Sequence, residues 1–204
     1  SLKEGLTVFR DSEFSADMNS RAVKRIEDAN VIRSIQFVED AGPMAHPVRP
    51  ESYMEISNFY TVTIYEKGAE VVRMLANILG PTLYRQATDL YFSRFDGQAV
   101  TCDDFVQCME EVSSKDLSQF RLWYSQAGTP HLQISDSYDA ACQQYSLTIR
   151  QYTPATPGQT DKKALHIPFK IALYDNQTAL PLVINGQNQG TETVLDICQD
   201  EQTI

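Results

Sequence analysis

The spacing of hydrophobic residues changes near Thr129, and this change constrains the fold more than any other feature of the chain. Before that point apolar side chains recur at helical spacing. After it, residues 131–135 alternate between apolar and polar, as half-buried strands do. The sequence therefore predicts an α+β protein, with a helical part over residues 1–129 and an antiparallel β part over residues 130–204.

Turn and capping residues divide the first part into separate helices. A helical pattern over Arg21–Phe37 ends before residues 41–50, whose three prolines exclude regular structure. The pattern resumes near Tyr60 and ends at Gly80, and the proline that follows is suited to begin the next helix. Thr101, followed by Cys102 and two aspartates, predicts the N-cap of a further helix.

Short alternating segments bounded by turn residues make up the second part. Because such segments pair as antiparallel hairpins, they predict a β-sandwich. Turn signals at Asp175-Asn176 and Asn185-Gly186 bound one of the strands. The predicted strands cover residues 131–135, 144–150, 165–174, 180–184 and 194–197.

Neither end of the chain has the features expected of a natural terminus. Ser1 is not an initiator Met, and no polar lead-in precedes the first helical pattern. The last residues, 202–204, stop in what reads as the start of another strand. Natural termini are usually frayed and polar. We therefore expect an internal piece of a longer protein, with a truncated sandwich.

Charge and cysteine content limit the function classes. The formal net charge is −10, whereas nucleic acids and anionic membranes select clustered Lys and Arg, so neither is an expected partner. The four cysteines match no zinc or redox spacing, which favours free thiols and a cytoplasmic location. They are Cys102, Cys108, Cys142 and Cys198.

Three histidines are too few, and too far apart, for a complete catalytic zinc site. His46, His131 and His166 include no pair separated by one helical turn. Catalytic zinc usually has three protein ligands and one open position for water. On these residues alone, a zinc enzyme contained within the chain is not expected.

Two segments nevertheless carry a recognisable pattern. Residues 2–9 read Leu-Lys-Glu-Gly-Leu-Thr-Val-Phe, and residues 58–71 contain Tyr-Glu-Lys-Gly-Ala-Glu. Together they resemble the aminopeptidase N (alanyl aminopeptidase) family of zinc peptidases, in its bacterial cytosolic branch. Further segments resemble that family in the same order, namely residues 43–50, 101–105, 123–130 and 153–157.

The resemblance implies roles for two residues and one Zn²⁺ per parent protein. The family motif is H-E-x-x-H-x18-E, and Glu4 matches its final, zinc-binding glutamate. Tyr65 matches the tyrosine whose hydroxyl stabilises the oxyanion during hydrolysis of N-terminal residues, Ala among them. A thermolysin-like catalytic domain is implied for the helical part. The paired histidines and the general-base glutamate are missing, so we expect the isolated chain to be inactive and not to retain zinc stably.

Three further residues are candidates for binding substrate or supporting the site. Asp11 lies two turns beyond Glu4 on one helical face, although it could equally hold an internal arginine. Tyr60 could shape the pocket for the first side chain or belong to the core. Glu66 follows Tyr65 but points elsewhere on the helix, where a salt bridge is the simpler expectation.

An alternative from another class stays open. A non-catalytic protein with a helical module and a β-sandwich could bind peptides or protein partners without any metal. It would explain the missing histidines, but not the motif contexts of Glu4 and Tyr65. On the peptidase interpretation, the expected partners are peptides with a free N-terminus and the missing N-terminal and C-terminal parts of the same protein.

Overall fold

The computed structural model describes residues 1–183 and 190–204. Seven α-helices come first in the described chain, and strands follow, so the predicted α+β class is confirmed. The helices are α1 (Leu2–Met18), α2 (Arg21–Val31), α3 (Phe37–Ala41), α4 (Gly68–Leu79), α5 (Pro81–Phe95), α6 (Cys102–Ser113) and α7 (Leu122–Ser125).

Helix boundaries follow from local chemistry. Gly80 ends α4 with a φ of 77°, a conformation that side chains disfavour, and Pro81 begins α5. Thr101 caps α6, because its hydroxyl accepts from the Asp104 N–H while the Asp104 carboxylate accepts from the Thr101 N–H. This capping box supplies partners for the free N–H groups at the helix start.

Two π-helical turns interrupt the helices expected over Arg21–Phe37 and from Tyr60 onward. They span Ile32–Gln36, between α2 and α3, and Thr63–Lys67, immediately before α4. A π turn adds a residue to the helical repeat, and such turns often mark functional sites. The continuous helices predicted there were wrong in this respect, since hydrophobic spacing does not distinguish one widened turn from regular helix.

The strands form two antiparallel sheets. One sheet has the order β1-β2-β5 and the other pairs β3 with β4. In the first, His131 lies opposite Tyr152. The strand expected over residues 180–184 is reduced to an isolated bridge between Tyr174 and Pro181, while Ile184 and the Asn185-Gly186 turn lie outside the described residues. The strands are β1 (His131–Asp139), β2 (Gln144–Tyr152), β3 (Ile167–Ala172), β4 (Glu192–Ile197) and β5 (Glu201–Thr203).

The main core lies among α1, α4, α5 and α6. Val71 and Leu75 of α4 and Phe105 and Met109 of α6 are fully buried there, at the helical spacing that the sequence shows. The core continues to the β part, where the Trp123 indole N–H donates to the His166 carbonyl at 2.8 Å. No helix of the described chain is long and apolar enough to cross a membrane.

Candidate functional site

Glu4 lies in the first turn of α1 with 8% of its side chain exposed. Its carboxylate is 3.0 Å from the Ser1 amino group and 3.3 Å from the Lys3 Nζ. Burial alone would raise the pKa of Glu4, but hydrogen bonds from the Ser1 amino group, the backbone and Lys3, with the charge that this amino group carries where the chain begins at Ser1, lower the pKa. Glu4 is therefore a carboxylate at neutral pH, the form that binds a cation.

Tyr65 occupies the π-helical turn Thr63–Lys67, which we call the Tyr65 turn. This turn and α4 both pack against α1. The closest approach is between Gly5 and Gly68, where a Cβ built on Gly5 would lie 2.6 Å from the Gly68 carbonyl carbon. Since Glu4 and Gly5 are adjacent, this glycine contact brings the segments carrying the two predicted site residues together.

Polar contacts hold the Tyr65 turn from the α3 side. The Glu39 carboxylate accepts from both the backbone N–H and the hydroxyl of Thr63. The Gln36 amide donates to the same hydroxyl at 3.2 Å. These contacts are buried or partly buried, where an unsatisfied polar group is costly. They therefore favour one geometry of the turn.

A buried ion pair holds the other end of the Tyr65 turn. The Lys67 Nζ lies 2.6 Å from the Asp40 carboxylate and also donates to the Gly128 carbonyl at 2.9 Å. Asp40 further accepts from the Gly128 N–H and the Thr129 hydroxyl. Burial alone would raise the pKa of Asp40, but the ammonium of Lys67, with hydrogen bonds from Lys67, Gln36 and Thr129, lowers it.

Sequence analysis did not identify the Lys67–Asp40 pair. A signal was present, because Lys67 falls on the apolar stripe formed by Ile64, Val71 and Leu75. A lysine in that position must find a partner if the stripe is buried. The partner could not be identified from spacing, since Asp40 lies 27 positions away and Gly128 lies 61 positions away.

Tyr60 lies beside Tyr65, with the two ring centroids 6.5 Å apart. Its side chain is 55% exposed, which excludes the core position that was one of its two expected roles. Phe59 contacts it edge to face at 5.8 Å, and Tyr53 contacts Phe59 in turn. A row of aromatic rings, of which Tyr60 and Tyr53 are exposed, therefore extends from Tyr65 along the preceding loop.

Asp11 and Glu66 lie together, in a cleft of about 170 Å³ between α1, α2 and α4. Within the described chain this cleft is lined by neither Glu4 nor Tyr65. The salt bridge expected for Glu66 is not formed with any cation of the described residues. Arg73, which lines the same cleft as Asp11, pairs with Glu13 and Glu70. The salt bridge expected for Glu66 was wrong, because these other carboxylates neutralise the nearby cations. No arginine of the described residues pairs with Asp11, and its role in supporting the site stays a prediction.

The environment of Glu66 disfavours its charge. Burial is the main cause that raises its pKa, and the negative charges of Asp28 and Glu70 add to it. The positive charge of Lys24 partly opposes them, but Lys24 is itself paired with Asp28 at 2.7 Å. Glu66 is thus a partly buried carboxyl that holds its proton to higher pH than an exposed glutamate does.

The histidines have other partners. His46 contacts the Pro47 carbonyl and the Thr61 hydroxyl, His166 contacts Asp196, and His131 stacks on Tyr152. Over residues 1–183 and 190–204, no group of three His, Cys, Asp or Glu side chains could hold a metal ion. Glu4 fits as one carboxylate ligand, so a zinc site built on it needs its remaining donors from elsewhere. All four cysteines are free thiols, as predicted.

Known protein families match both parts of the chain. Residues 1–124 match the Peptidase family M1 domain. Residues 128–204 match a domain family described as Domain of unknown function (DUF3458) Ig-like fold.

Individual relatives agree with these matches. Aminopeptidase N of Escherichia coli is 56% identical over 204 residues, which are 100% of this chain and 23% of the relative. Aminopeptidase N of Haemophilus influenzae is 54% identical over 203 residues, 99% of this chain and 23% of the relative. The chain thus spans about a quarter of the length of these relatives.

A solved structure extends the similarity to the fold. Legionella pneumophila aminopeptidase A, crystallised in complex with aspartic acid, matches with a TM-score of 0.78 at 27% identity. The match covers 99% of this chain and 21% of that one. Motifs, family matches, relatives and fold all agree, and we conclude that the chain belongs to peptidase family M1.

Proposed function

We propose that this chain is part of a zinc-dependent aminopeptidase, in which Glu4 is a metal ligand and Tyr65 is a catalytic residue. The observation that carries the proposal is the contact between Gly5 and Gly68, because it joins the turn bearing Glu4 to the segment bearing Tyr65. Membership of peptidase family M1 supports the same assignment. The remaining ligands, two histidines, would come from a part of the protein outside these residues.

The proposed roles follow from the chemistry of the two side chains. A zinc ion, when bound, supplies Lewis-acid chemistry that polarises the scissile carbonyl and activates water. Glu4 contributes a carboxylate oxygen of the kind that completes a two-histidine site. The Tyr65 hydroxyl donates a hydrogen bond to the carbonyl oxygen as negative charge develops there. Such a donor acts most strongly where water is excluded and the donor is already oriented.

The substrates we propose are peptides with a free N-terminus, acted on in the cytoplasm. The exposed ring of Tyr60 lies next to Tyr65, where it could contact the first side chain of a peptide, and the partly buried ring of Phe59 packs against Tyr60. Asp11 and Glu66 form a separate acidic cleft and would act through their neighbours rather than on the reacting atoms. The general base would come from outside the chain.

We also propose that residues 1–129 and 130–204 belong to two domains that contact other parts of the same protein. Apolar side chains on the outer face of the helical part support this, because contiguous exposed apolar surface usually marks an interface. They are Val23, Ile26, Ile35 and Val38.

Zinc content and alanyl-amidase activity of the complete protein test the proposal. We expect about one zinc per chain, and loss of both zinc and activity in Glu4→Ala. Tyr65→Phe should retain zinc but lose on the order of a hundredfold in kcat, the usual effect of removing one oxyanion donor. Tyr53→Phe is the control for loss of a tyrosine hydroxyl, since Tyr53 is an exposed tyrosine whose ring packs against Phe59.

The same assays on the 204-residue chain test its dependence on the missing parts. We expect no zinc-dependent activity from this chain alone, since Glu4 by itself is one ligand of three. Activity from the chain alone would contradict that expectation. A complete protein that binds no zinc and cleaves no alanyl amide would refute the peptidase proposal and favour an interaction module.

A further inference from the structure

Thr61 lies two residues before the Tyr65 turn and makes two contacts with its backbone. Its carbonyl accepts from the Tyr65 N–H at 3.2 Å. Its hydroxyl accepts from the Ile64 N–H at 3.3 Å. The first N–H groups of a helix have no partner within the helix, so Thr61 acts as the cap of the segment that carries Tyr65.

His46 determines how the Thr61 hydroxyl is oriented. The His46 Nδ1 lies 2.8 Å from the Pro47 carbonyl, which can only accept, so the proton of the neutral ring is on Nδ1. The Nε2 of that tautomer accepts, and the Thr61 hydroxyl at 2.8 Å donates to it. With its hydrogen directed to His46, the hydroxyl presents a lone pair to the Ile64 N–H.

The loop that carries His46 is fixed at several points. Val48 is fully buried, and its side chain lies against Gly68 at the start of α4. The Arg49 N–H donates to the Tyr124 carbonyl at 2.9 Å. His46 is thus attached to an anchored loop on one side and to Thr61 on the other, which makes it a rigid support.

We propose that Thr61, oriented by His46, is a positioning residue that aims the Tyr65 hydroxyl. The inference rests on the proposed function, because it assumes that this hydroxyl acts on the substrate. Glu39 and Gln36 hold Thr63, the first residue of the Tyr65 turn, and the Glu39 carboxylate is 3.7 Å from the His46 Nε2. These contacts do not replace the Thr61 hydroxyl, since they reach neither the Ile64 N–H nor the Tyr65 N–H.

Two substitutions of Thr61 distinguish the effect of its hydroxyl from the effect of its side-chain shape. Thr61→Val keeps the volume and the backbone bond to Tyr65 but removes both hydroxyl contacts. Thr61→Ser keeps the hydroxyl and serves as the matched control. In the complete zinc-loaded protein we expect Thr61→Val to lower kcat about tenfold, within the roughly hundredfold that a misplacement of about 1 Å can cost. KM and zinc content should stay unchanged, and Thr61→Ser should remain within about twofold of the unsubstituted protein.

A double-mutant cycle with Tyr65→Phe decides whether Thr61 acts through Tyr65. If it does, Thr61→Val has no further effect on kcat once the Tyr65 hydroxyl is gone. Equal losses from Thr61→Val with and without that hydroxyl would overturn the inference, and so would a kcat unchanged by Thr61→Val. An unsubstituted protein without zinc-dependent activity, or a Tyr65→Phe variant with full activity, would instead refute the proposed function.

Thermal unfolding and circular dichroism of each variant show whether a loss of activity comes from unfolding of the protein. We expect the Thr61→Val protein to remain folded, since valine is isosteric with threonine and Thr61 is only partly buried. His46→Ala offers a second route, because it removes the acceptor but leaves the Thr61 hydroxyl in place. Its kcat should also fall, and this loss should likewise disappear in the Tyr65→Phe background.

Discussion

Neighbouring residues in the Tyr65 turn meet different environments. Tyr65 contacts the exposed ring of Tyr60, Glu66 faces an acidic cleft, and Lys67 is buried against Asp40. Consecutive side chains on a helical turn point in different directions, so each meets another part of the molecule. The segment Tyr65-Glu66-Lys67 thus places one side chain beside an exposed ring, one in a cleft and one in a buried ion pair.

Replacing Glu66 should stabilise the chain in a pH-dependent way. Burial, with the charges of Asp28 and Glu70, raises the pKa of Glu66 above that of an unfolded glutamate. The folded state therefore holds the proton more tightly, and stability falls as pH rises through the interval between the two pKa values. We expect Glu66→Gln to raise Tm at pH 8 and to have a smaller effect at pH 4.

Glu51→Gln is the control for that measurement. Glu51 is exposed, in the loop after the prolines, and forms no ion pair with the described residues. Its substitution should leave Tm nearly unchanged at both pH values. A Glu66→Gln protein that is less stable than the original chain at pH 8 would show that an unrecognised partner holds this carboxylate.

The sequence predicted site residues only where a motif surrounded them. Glu4 and Tyr65 are ordinary helix residues when taken alone, and resemblance to a family assigned their roles. The salt bridge expected for Glu66 did not form, because cations such as Arg73 had several acidic candidates at similar spacing. Contacts such as Thr61 with His46 depend on where a proline-rich loop lies, and local patterns carry no information on that.

At the scale of elements, the crossing of α1 and α4 depends on two glycines. Backbone atoms of Gly5 and Gly68 approach so closely that Gly5 has no room for a side chain, and a Cβ on Gly68 would make a tight contact with Gly5. Alanine normally stabilises a helix relative to glycine, by about 0.5–1 kcal/mol. At this crossing the steric clash should instead make alanine at Gly5 destabilising relative to glycine.

Alanine at Gly5 should therefore destabilise the chain, by about 1–3 kcal/mol in the free energy of unfolding. Its Cβ would lie 2.6 Å from the Gly68 carbonyl carbon, so the helices would have to separate. Gly68→Ala should cost less, because its Cβ would lie 3.3 Å from the Gly5 Cα. Chemical denaturation of both variants tests the order, and a stabilised Gly5→Ala protein would contradict the close contact.

Helix ends were more predictable than helix geometry. Gly80, Pro81 and Thr101 act at the boundaries that the sequence indicated, because capping depends on residues a few positions apart. The two π turns were not predicted, since their formation depends on partners from distant segments, such as Gln36 with Thr63. Local composition predicted a strand over residues 180–184, but of the described residues in that range only Pro181 forms a bridge, with Tyr174.

At the scale of the whole molecule, the Lys67–Asp40 pair connects the helical part to the start of the β part. Lys67 binds the Gly128 carbonyl, and Asp40 binds the Gly128 N–H and the Thr129 hydroxyl. The position of the chain entering β1 is thus tied to the turn that carries Tyr65. The boundary expected near Thr129 lies at this connection.

Lys67→Met should destabilise the chain by about 3–5 kcal/mol, since it leaves the buried Asp40 carboxylate without its cation. Lys170→Met, which breaks an exposed pair with Glu192, should cost less than about 1 kcal/mol. The difference between Lys67→Met and the original chain should shrink as pH falls below about 4.

The sign of this pH effect follows from the pKa of Asp40. That pKa is lowered in the folded chain, so the pair contributes stability at higher pH and loses it as pH falls through the folded value. In the Lys67→Met chain, protonation of Asp40 instead relieves an uncompensated charge. A difference in Tm that stays constant from pH 7 to pH 3 would contradict the ion pair.

Because Lys67 and Gly128 are 61 positions apart, the contact between them can form only late in synthesis of the chain. During synthesis the ribosome delivers Tyr65 and its neighbours well before the carbonyl that Lys67 binds. Contacts between distant positions form late in folding, because the intervening chain must first be ordered. A nascent chain that ends before residue 128 therefore holds every residue of the Tyr65 turn but lacks the Gly128 contact that fixes its Lys67 end. The geometry proposed for catalysis is completed only when the first residues of the β part emerge.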